Sequence, residues 1–216
     1  MKRCMRSDYN KEDLKLLMNK DVDTWWADST AVVEKGAIIG GETRIWHFSH
    51  ICSGAVIGRQ CTLGQNTFVA DECTVGDRVK IQNNVSLFAG VQLESDVFIG
   101  PSVVFTNVIN PRAFIDRKTE FKQTIIKQGA TIGANCTILC GNTVGEFSMV
   151  GAGATVTNSV KPFALMMGIP ARQVGWVSRN GVRLNLPLFG HDEADCSESA
   201  MRYQLVGDCL KEIEIP

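Results

Sequence analysis

Apolar residues recur at every sixth position along most of this chain. From Val33 the step of six meets Ile39, Ile45, Ile51, Ile57, Leu63, Val69, Val75, Ile81, Leu87, Leu93, Ile99 and Phe105. After a break it resumes at Ile126, Ile132, Ile138, Val144, Val150 and Val156, and Phe105 alone in the whole series is not aliphatic. The fifth position of the hexad is small or β-branched, as at Ala37, Thr43, Ser49, Cys61, Cys73, Ala130, Cys136 and Ala154, with Asn142 as the departure. Glycine fills the second position at Gly40, Gly58, Gly64, Gly76, Gly100, Gly133, Gly145 and Gly151. A helix repeats near every 3.6 residues and a flat strand every 2. A repeat of six with two inward positions fits a solenoid whose short strands turn a corner in each hexad. Gly, Asn and Asp are expected near those corners, where φ is positive and a Cβ is costly. Three hexads close one triangular coil, and about six coils at ~4.8 Å each make a prism ~30 Å long.

The repeat divides the chain. Residues 1–32 form an extension and cap, in which Asp13–Met18 has the length of one or two helical turns and Trp25 and Trp26 cover the open end of the first coil. Such a cover is needed because a solenoid end presents unpaired strand edges. Residues 33–161 are the coil domain, interrupted at 111–125 by a stretch without the register. That stretch must leave the prism as a loop, and long loops in compact repeats tend to carry function. Residues 162–216 are a cap and tail, with one short strand expected around Tyr203, Leu205 and Val206.

Composition narrows the function classes. The chain has 216 residues, a net charge of −1 and 44% hydrophobic residues, which reads as a globular domain with appendages. Near-neutral charge provides no broad basic surface for nucleic acid. No apolar run is long enough to span a membrane, and the basic start lacks the apolar core of a signal peptide, so the expected location is the cytoplasm. There are eight cysteines and no Cys-x-x-Cys pair. Cys61, Cys73 and Cys136 fall in inward positions and are expected to be buried free thiols.

Stepping by eighteen finds residues stacked on one corner. His47-Phe48, Gln65-Asn66, Asn83-Asn84 and Pro101-Ser102 share such a column, with His47 two coils, ~10 Å, from Asn83. Stacked amides also make purely structural ladders, and for Asn66 that reading is preferred. The loop carries Arg112, Arg117, Lys118 and Lys122 against Asp116 and Glu120, a set suited to an anionic sugar nucleotide. Subunit packing or a solvated arm is the other reading of this loop. The run Val150-Gly151-Ala152-Gly153-Ala154-Thr155 is small enough for a pantetheine arm to lie along the backbone, although coil geometry alone also explains it.

The hexads resemble those of the left-handed parallel β-helix acyltransferases. Four segments resemble one subgroup: Arg44-Ile45-Trp46-His47-Phe48, Lys80-Ile81-Gln82-Asn83-Asn84-Val85-Ser86, residues 105–112 and residues 129–136. These are the 3-N-acetyltransferases of UDP-2-acetamido-3-amino-2,3-dideoxyglucuronate, and the match spans about residues 29–178. The resemblance implies an all-β left-handed parallel β-helix, a homotrimer with clefts between subunits, and acetyl-CoA as co-substrate without a metal. It implies acetylation of the 3-amino group of a UDP-linked uronic acid for lipopolysaccharide O-antigen synthesis. Asn84 and His47 are the candidate catalytic residues, and Asn83, Gln65, Arg112, Arg117 and Lys118 the candidate sugar-nucleotide contacts. Ala134, Ala152, Gly153 and Arg172 are the candidate coenzyme A contacts, Arg172 lying in the segment Gly-Ile-Pro-Ala-Arg that resembles the family's closing segment.

The chemistry needs a neutral amine, a stabilised tetrahedral oxyanion and an acceptor for the amine's proton. Many members of the family use a histidine, whereas the subgroup is thought to pass the proton to the leaving sulfur; both routes stay open here. A convex prism has no deep pocket, and ligand sites are concave, so the cleft is expected between copies. Other readings are a hexapeptide acyltransferase with another amino sugar or an amino acid such as serine as acceptor, a surface-binding solenoid, and a zinc hydratase. The last needs three converging imidazoles, and His47, His50 and His191 do not read as converging.

Overall fold

A computed structural model describes residues 24–214. The short helix expected at Asp13–Met18 lies outside them. The described residues contain no α-helix and form a left-handed parallel β-helix of stacked triangular coils.

The six-residue step places each coil on three sheets. The first face carries Arg44–Ile45, Thr62–Leu63, Lys80–Ile81, Phe98–Ile99, Thr131–Ile132 and Met149–Val150 in parallel. The second carries seven strands, from Val32–Val33 to Thr155–Val156, and the third carries six, from Ile38–Ile39 to Thr143–Val144. Register runs one coil apart, as in Lys80↔Thr62 and His50↔Phe68. Ile45, Ile51, Ile57, Leu63, Ile81, Leu87, Ile99, Ile132 and Ile138 are all fully buried, so the first position of the hexad makes the core.

The coils begin one hexad earlier than the aliphatic series. Trp26–Ala27 pairs with Arg44–Ile45 as the first strand of the first face. Ala27 escapes the aliphatic pattern because it is small. Trp26 therefore stands on the outward side of the first face rather than over the end of the core, and its indole is 47% exposed.

The fifth position has a second role that hydrophobicity does not reveal. Thr43 Oγ1 donates to Gly58 O (2.8 Å), Ser49 Oγ to Gly64 O (3.0 Å), Cys61 Sγ to Gly76 O (3.0 Å) and Cys136 Sγ to Gly151 O (3.0 Å). Each small inward donor thus satisfies a corner carbonyl fifteen residues ahead, a group that burial would otherwise leave costly. The seven cysteines described are free, as expected for the inward ones. Burial raises the Cys61 thiol to about 11 and the Cys73 thiol to about 12, so both stay protonated and donate.

Second-position glycines have a reason other than positive φ. The left-handed conformation belongs to the fourth position, where Phe48, Gln60, Asn66, Arg78, Asn84 and Asn135 all have φ between 56° and 60°. At Gly100 a Cβ would lie 2.6 Å from Ala134 N and 2.8 Å from Gly133 C, in the backbone of the next coil. Gly100→Ala should therefore cost about 1–3 kcal/mol by overpacking, read as a lower midpoint in chemical denaturation with an unchanged slope.

The loop leaves the second face after Val104–Phe105 and returns to the third at Thr124–Ile126, giving the register Gln92↔Ile125. It holds a single 3₁₀ turn, Lys118–Glu120. Beyond Val156 the first face continues through Ala164–Met167, Arg172–Val177 and Arg183–Leu184, the last two antiparallel. The tail then forms a separate antiparallel sheet of Gly190–Asp195, Met201–Gly207 and Cys209–Glu214. The strand expected near Tyr203 is its centre. Tyr203 is fully buried edge-on to Phe163, which stacks on Phe147, so the tail packs against the far end of the prism.

Candidate functional site

One corner of the prism collects most of the residues singled out in the sequence. Backbone bonds define it between the first and second faces: Asn66 N to His47 O, Asn84 N to Gln65 O, Ser102 N to Asn83 O, Asn135 N to Pro101 O and Gly153 N to Ala134 O, each 2.8–3.0 Å. His47, Gln65, Asn83, Asn84, Ala134, Ala152 and Gly153 therefore lie along one edge. Above Gly153 the edge is continued by the turn between Ala164–Met167 and Arg172–Val177, where Thr155 N donates to Gly168 O and Ala171 N to Thr155 O. Arg172 is exposed beside that turn, with Nη1 donating to Ala171 O. From Asn84 to Gly153 is three coils, ~14 Å, lined at the upper end by small residues. That shape accommodates an extended arm running along the edge.

The amides on the column differ in what they leave free. Asn83 Oδ1 accepts from Gln65 N (2.9 Å), just as Asp71 Oδ1 accepts from Gly54 N and Asp77 Oδ1 from Arg59 N. The Asn83 oxygen is thus part of the corner scaffold. Asn66 Nδ2 donates to Asn84 Oδ1 (3.1 Å), which commits the Asn84 oxygen and leaves its Nδ2 as an outward donor. The ladder expected from stacking is present, and it orients Asn84 as a hydrogen-bond donor. Phe48, Gln60 and Arg78 adopt the same φ, so the corner conformation does not itself require an asparagine at 84.

At the lower end, His47 Nε2 lies 3.3 Å from Asp28 Oδ2. Hydrogen bonds from the Thr30 hydroxyl and amide hold the Asp28 carboxyl below its ordinary pKa, with His47 contributing less. An ionised Asp28 anchors one ring nitrogen and leaves the other available. The Trp46 ring is nearly parallel to that of His47, 6.1 Å away, and meets Trp26 edge-on at 5.5 Å. Two shallow depressions lie here: one runs past Trp46, His47, Gln65 and Asn83, the other past Trp26, Arg44 and Gln60, and they share Thr62 in their linings.

The loop cations are not brought to this corner. The loop springs from the corner between the second and third faces, and among the described residues no hydrogen bond or ion pair joins Arg112, Arg117 or Lys118 to the column. Arg117 is held by both oxygens of Glu120, at 2.8 and 2.9 Å, so its charge is already matched. The side chains of Arg112 and Lys118 enter none of the ion pairs among the described residues, and it is the Lys118 backbone amide that donates to Asp116 Oδ1. The sequence reading missed two other cations: Arg44 and Lys80 point outward from the first face, two coils apart, without acidic partners among the described residues. Stepping by eighteen from Trp26 finds them, but only when the outward positions are read as well as the inward ones.

One group of three possible metal donors occurs among the described residues, Glu34, His50 and Cys52, with donor atoms within 4.8 Å of one another. It lies one corner away from the amide column, and Glu34 and His50 already pair at 2.7 Å. The three histidines do not converge: His47 and His50 have separate carboxylate partners, and His191 lies on the tail sheet. No helix among the described residues is long and apolar enough to cross a membrane.

Comparison with known proteins agrees with this architecture. The family model "Bacterial transferase hexapeptide (six repeats)" matches residues 36–71, and "Hexapeptide repeat of succinyl-transferase" matches 54–89 and 123–158. A dTDP-3-amino-3,6-dideoxy-alpha-D-galactopyranose 3-N-acetyltransferase of Aneurinibacillus thermoaerophilus is 36% identical over 92% of this chain and 100% of its own length. The bifunctional protein GlmU of Synechococcus sp. is 29% identical over 68% of this chain, which spans 31% of that relative. The acetyltransferase domain of PglB from Neisseria gonorrhoeae, solved with acetyl coenzyme A, superposes with a TM-score of 0.47 at 19% identity over 76% of this chain and 62% of that one.

Proposed function

The chain belongs to the hexapeptide-repeat acyltransferases, and from that premise we propose that it transfers acetyl from acetyl-CoA to the 3-amino group of a nucleoside-diphosphate-linked amino sugar. The observation that carries this reading is the end-to-end similarity to an enzyme named for 3-N-acetylation of a dTDP-linked sugar. The edge geometry supports it. Acetyl-CoA lies along the column with its phosphates toward Arg172, its pantetheine arm beside Ala152, Gly153 and Ala134, and its thioester near Asn84. The nucleotide sugar enters from the His47 end, with Gln65 and Asn83 beside the sugar. A second copy closes the cleft, since the depressions on one prism are shallow, and the working form is a homotrimer with sites between subunits.

The amine's lone pair attacks the thioester carbonyl, the C–N bond forms, and the oxyanion receives a hydrogen bond from Asn84 Nδ2. Collapse breaks the C–S bond and releases coenzyme A as thiolate. His47 is two coils, ~10 Å, from Asn84, beyond direct reach of an amine held at that residue. The proton therefore passes to the departing sulfur, and the His47–Asp28 pair sits on the nucleotide side. Accordingly, His47→Asn is expected to keep kcat within about threefold of the parent while KM for the sugar nucleotide rises. A loss of ~10²-fold or more in kcat would make His47 the base.

The UDP-linked uronic acid indicated by the four sequence segments is the narrower form of the proposal. A dTDP-linked 3-amino-6-deoxy sugar is the competing acceptor, favoured by the same relative and by Arg117 being matched by Glu120 rather than free for a uronate. A free-thiol release assay with acetyl-CoA against dTDP- and UDP-linked 3-amino sugars decides between them. Turnover with neither, but with serine or a 4-amino sugar, would overturn the acceptor class. Acetyl-CoA as donor places this work in the cytoplasm, where it would supply bacterial surface polysaccharide such as O-antigen.

A further inference from the structure

We propose that Trp26 and Trp46 form the stacking platform for the base of the nucleotide sugar, with Arg44 beside them to meet its diphosphate. This rests on the acetyltransfer reading and names the part of the substrate that the amide column leaves without a contact. Large aromatic side chains are costly to leave in water unless they have something to cover. Yet Trp26 is 47% and Trp46 40% exposed, on the outer surface of the two lowest coils. They are not scattered: the indoles meet edge-on at 5.5 Å, and the Trp46 plane continues into the His47 ring at an interplanar angle of 20°. The aromatic run thus begins at the candidate acceptor end of the amide column and leads away from it, opposite to the small-residue track toward Arg172.

Charge and shape follow the same line. Trp26 pairs in register with Arg44 on the first face, so the guanidinium and the indole stand on neighbouring strands and face the same side. Arg44 takes part in none of the ion pairs among the described residues. A planar guanidinium without a carboxylate partner suits a phosphate, to which it donates in pairs. The depressions along Trp46 and along Trp26 are separate but share Thr62 in their linings, so they lie side by side on the first face. With the sugar at the column, Arg44 meets the diphosphate and the indoles on either side of it meet the base, Trp46 two residues along the chain and Trp26 one coil below. Flat stacking tolerates any base, so this platform fixes position, and base identity is read elsewhere.

The test is binding of free dTDP and free UDP, followed by quenching of tryptophan fluorescence and by calorimetry, on the full chain and on Trp26→Ala, Trp46→Ala and Trp46→Phe. Each alanine variant is expected to weaken both nucleotides about tenfold or more, Trp46→Phe by less than threefold, and none to change the KM for acetyl-CoA. Arg44→Gln should weaken dTDP and UDP strongly and the corresponding free nucleosides little. Unaltered thermal melts for Trp46→Phe keep the comparison on folded protein. Nucleotide affinity unchanged in both alanine variants overturns the platform, as does an equal loss for acetyl-CoA. If the alanine variants lose dTDP and UDP but no amino sugar is acetylated, the platform stands and the acetyltransfer reading falls. If acetylation proceeds while the variants bind nucleotides normally, the reverse holds.

Discussion

Asn84→Ala is expected to lower kcat by about 10²–10³-fold, the usual consequence of removing one oxyanion donor, with little change in the KM for either substrate. The expectation comes from how the amide is held. Its oxygen accepts from Asn66, so rotation that would present the oxygen to the cleft breaks a hydrogen bond, and Nδ2 is the group offered outward. The residue sits at φ 60°, where a Cβ-bearing residue carries a backbone cost. Asn84→Gly is the matched comparison: it relieves that cost and removes the amide. Equal losses in both variants, measured by thiol release on protein with an unchanged melting curve, assign the effect to the missing donor. Near-normal turnover in Asn84→Gly removes Asn84 from the reacting centre.

Leu87→Ala is expected to destabilise the fold by about 3–5 kcal/mol, the range for emptying a well-packed leucine site. Leu87 is fully buried on the second face, between Val69 and the next coil, with its carbonyl also near Cys73 Sγ. Neighbouring coils are tied to one another by backbone bonds at every corner, so the cavity cannot close without shifting several coils. For a chain of this size the melting temperature should fall by roughly 6–20 °C, read by calorimetry. A fall of less than about 2 °C would mean that the stacked core collapses around the void. Because the Leu87 side chain is fully buried in the core while the amide column stands on the outer edge, activity per folded molecule below the melting range should change far less than in Asn84→Ala.

Much of the molecule was legible from spacing. A six-residue step with a small fifth position leaves the backbone few options: it must turn a corner each time, and burial of Ile45 through Ile138 follows. The same step put His47, Gln65, Asn83 and Asn84 on one edge, because parallel register one coil apart converts sequence separation directly into height. What failed did so where two side-chain roles are compatible with one residue type. Glycine at the second position reads as a left-handed corner, but the close approach of the next coil is the actual constraint at Gly100. Trp26 reads as a cap, but its neighbour Ala27 is an inward residue too small for the aliphatic series.

The sequence by itself determined the prism, its three faces and the edge on which the polar column stands, since all of these depend on periodicity alone. The tertiary structure decided which atom of each side chain is available. It showed that Asn84 presents its nitrogen, that Asn83 Oδ1 and Arg117 are already engaged, and that the loop cations leave from another corner while Arg44 stands beside Trp26. The physical reason is that a repeat fixes where a residue stands through backbone bonds that every residue shares. Hydrogen bonds and ring contacts depend on which particular side chains meet between coils, and the period carries no information about those.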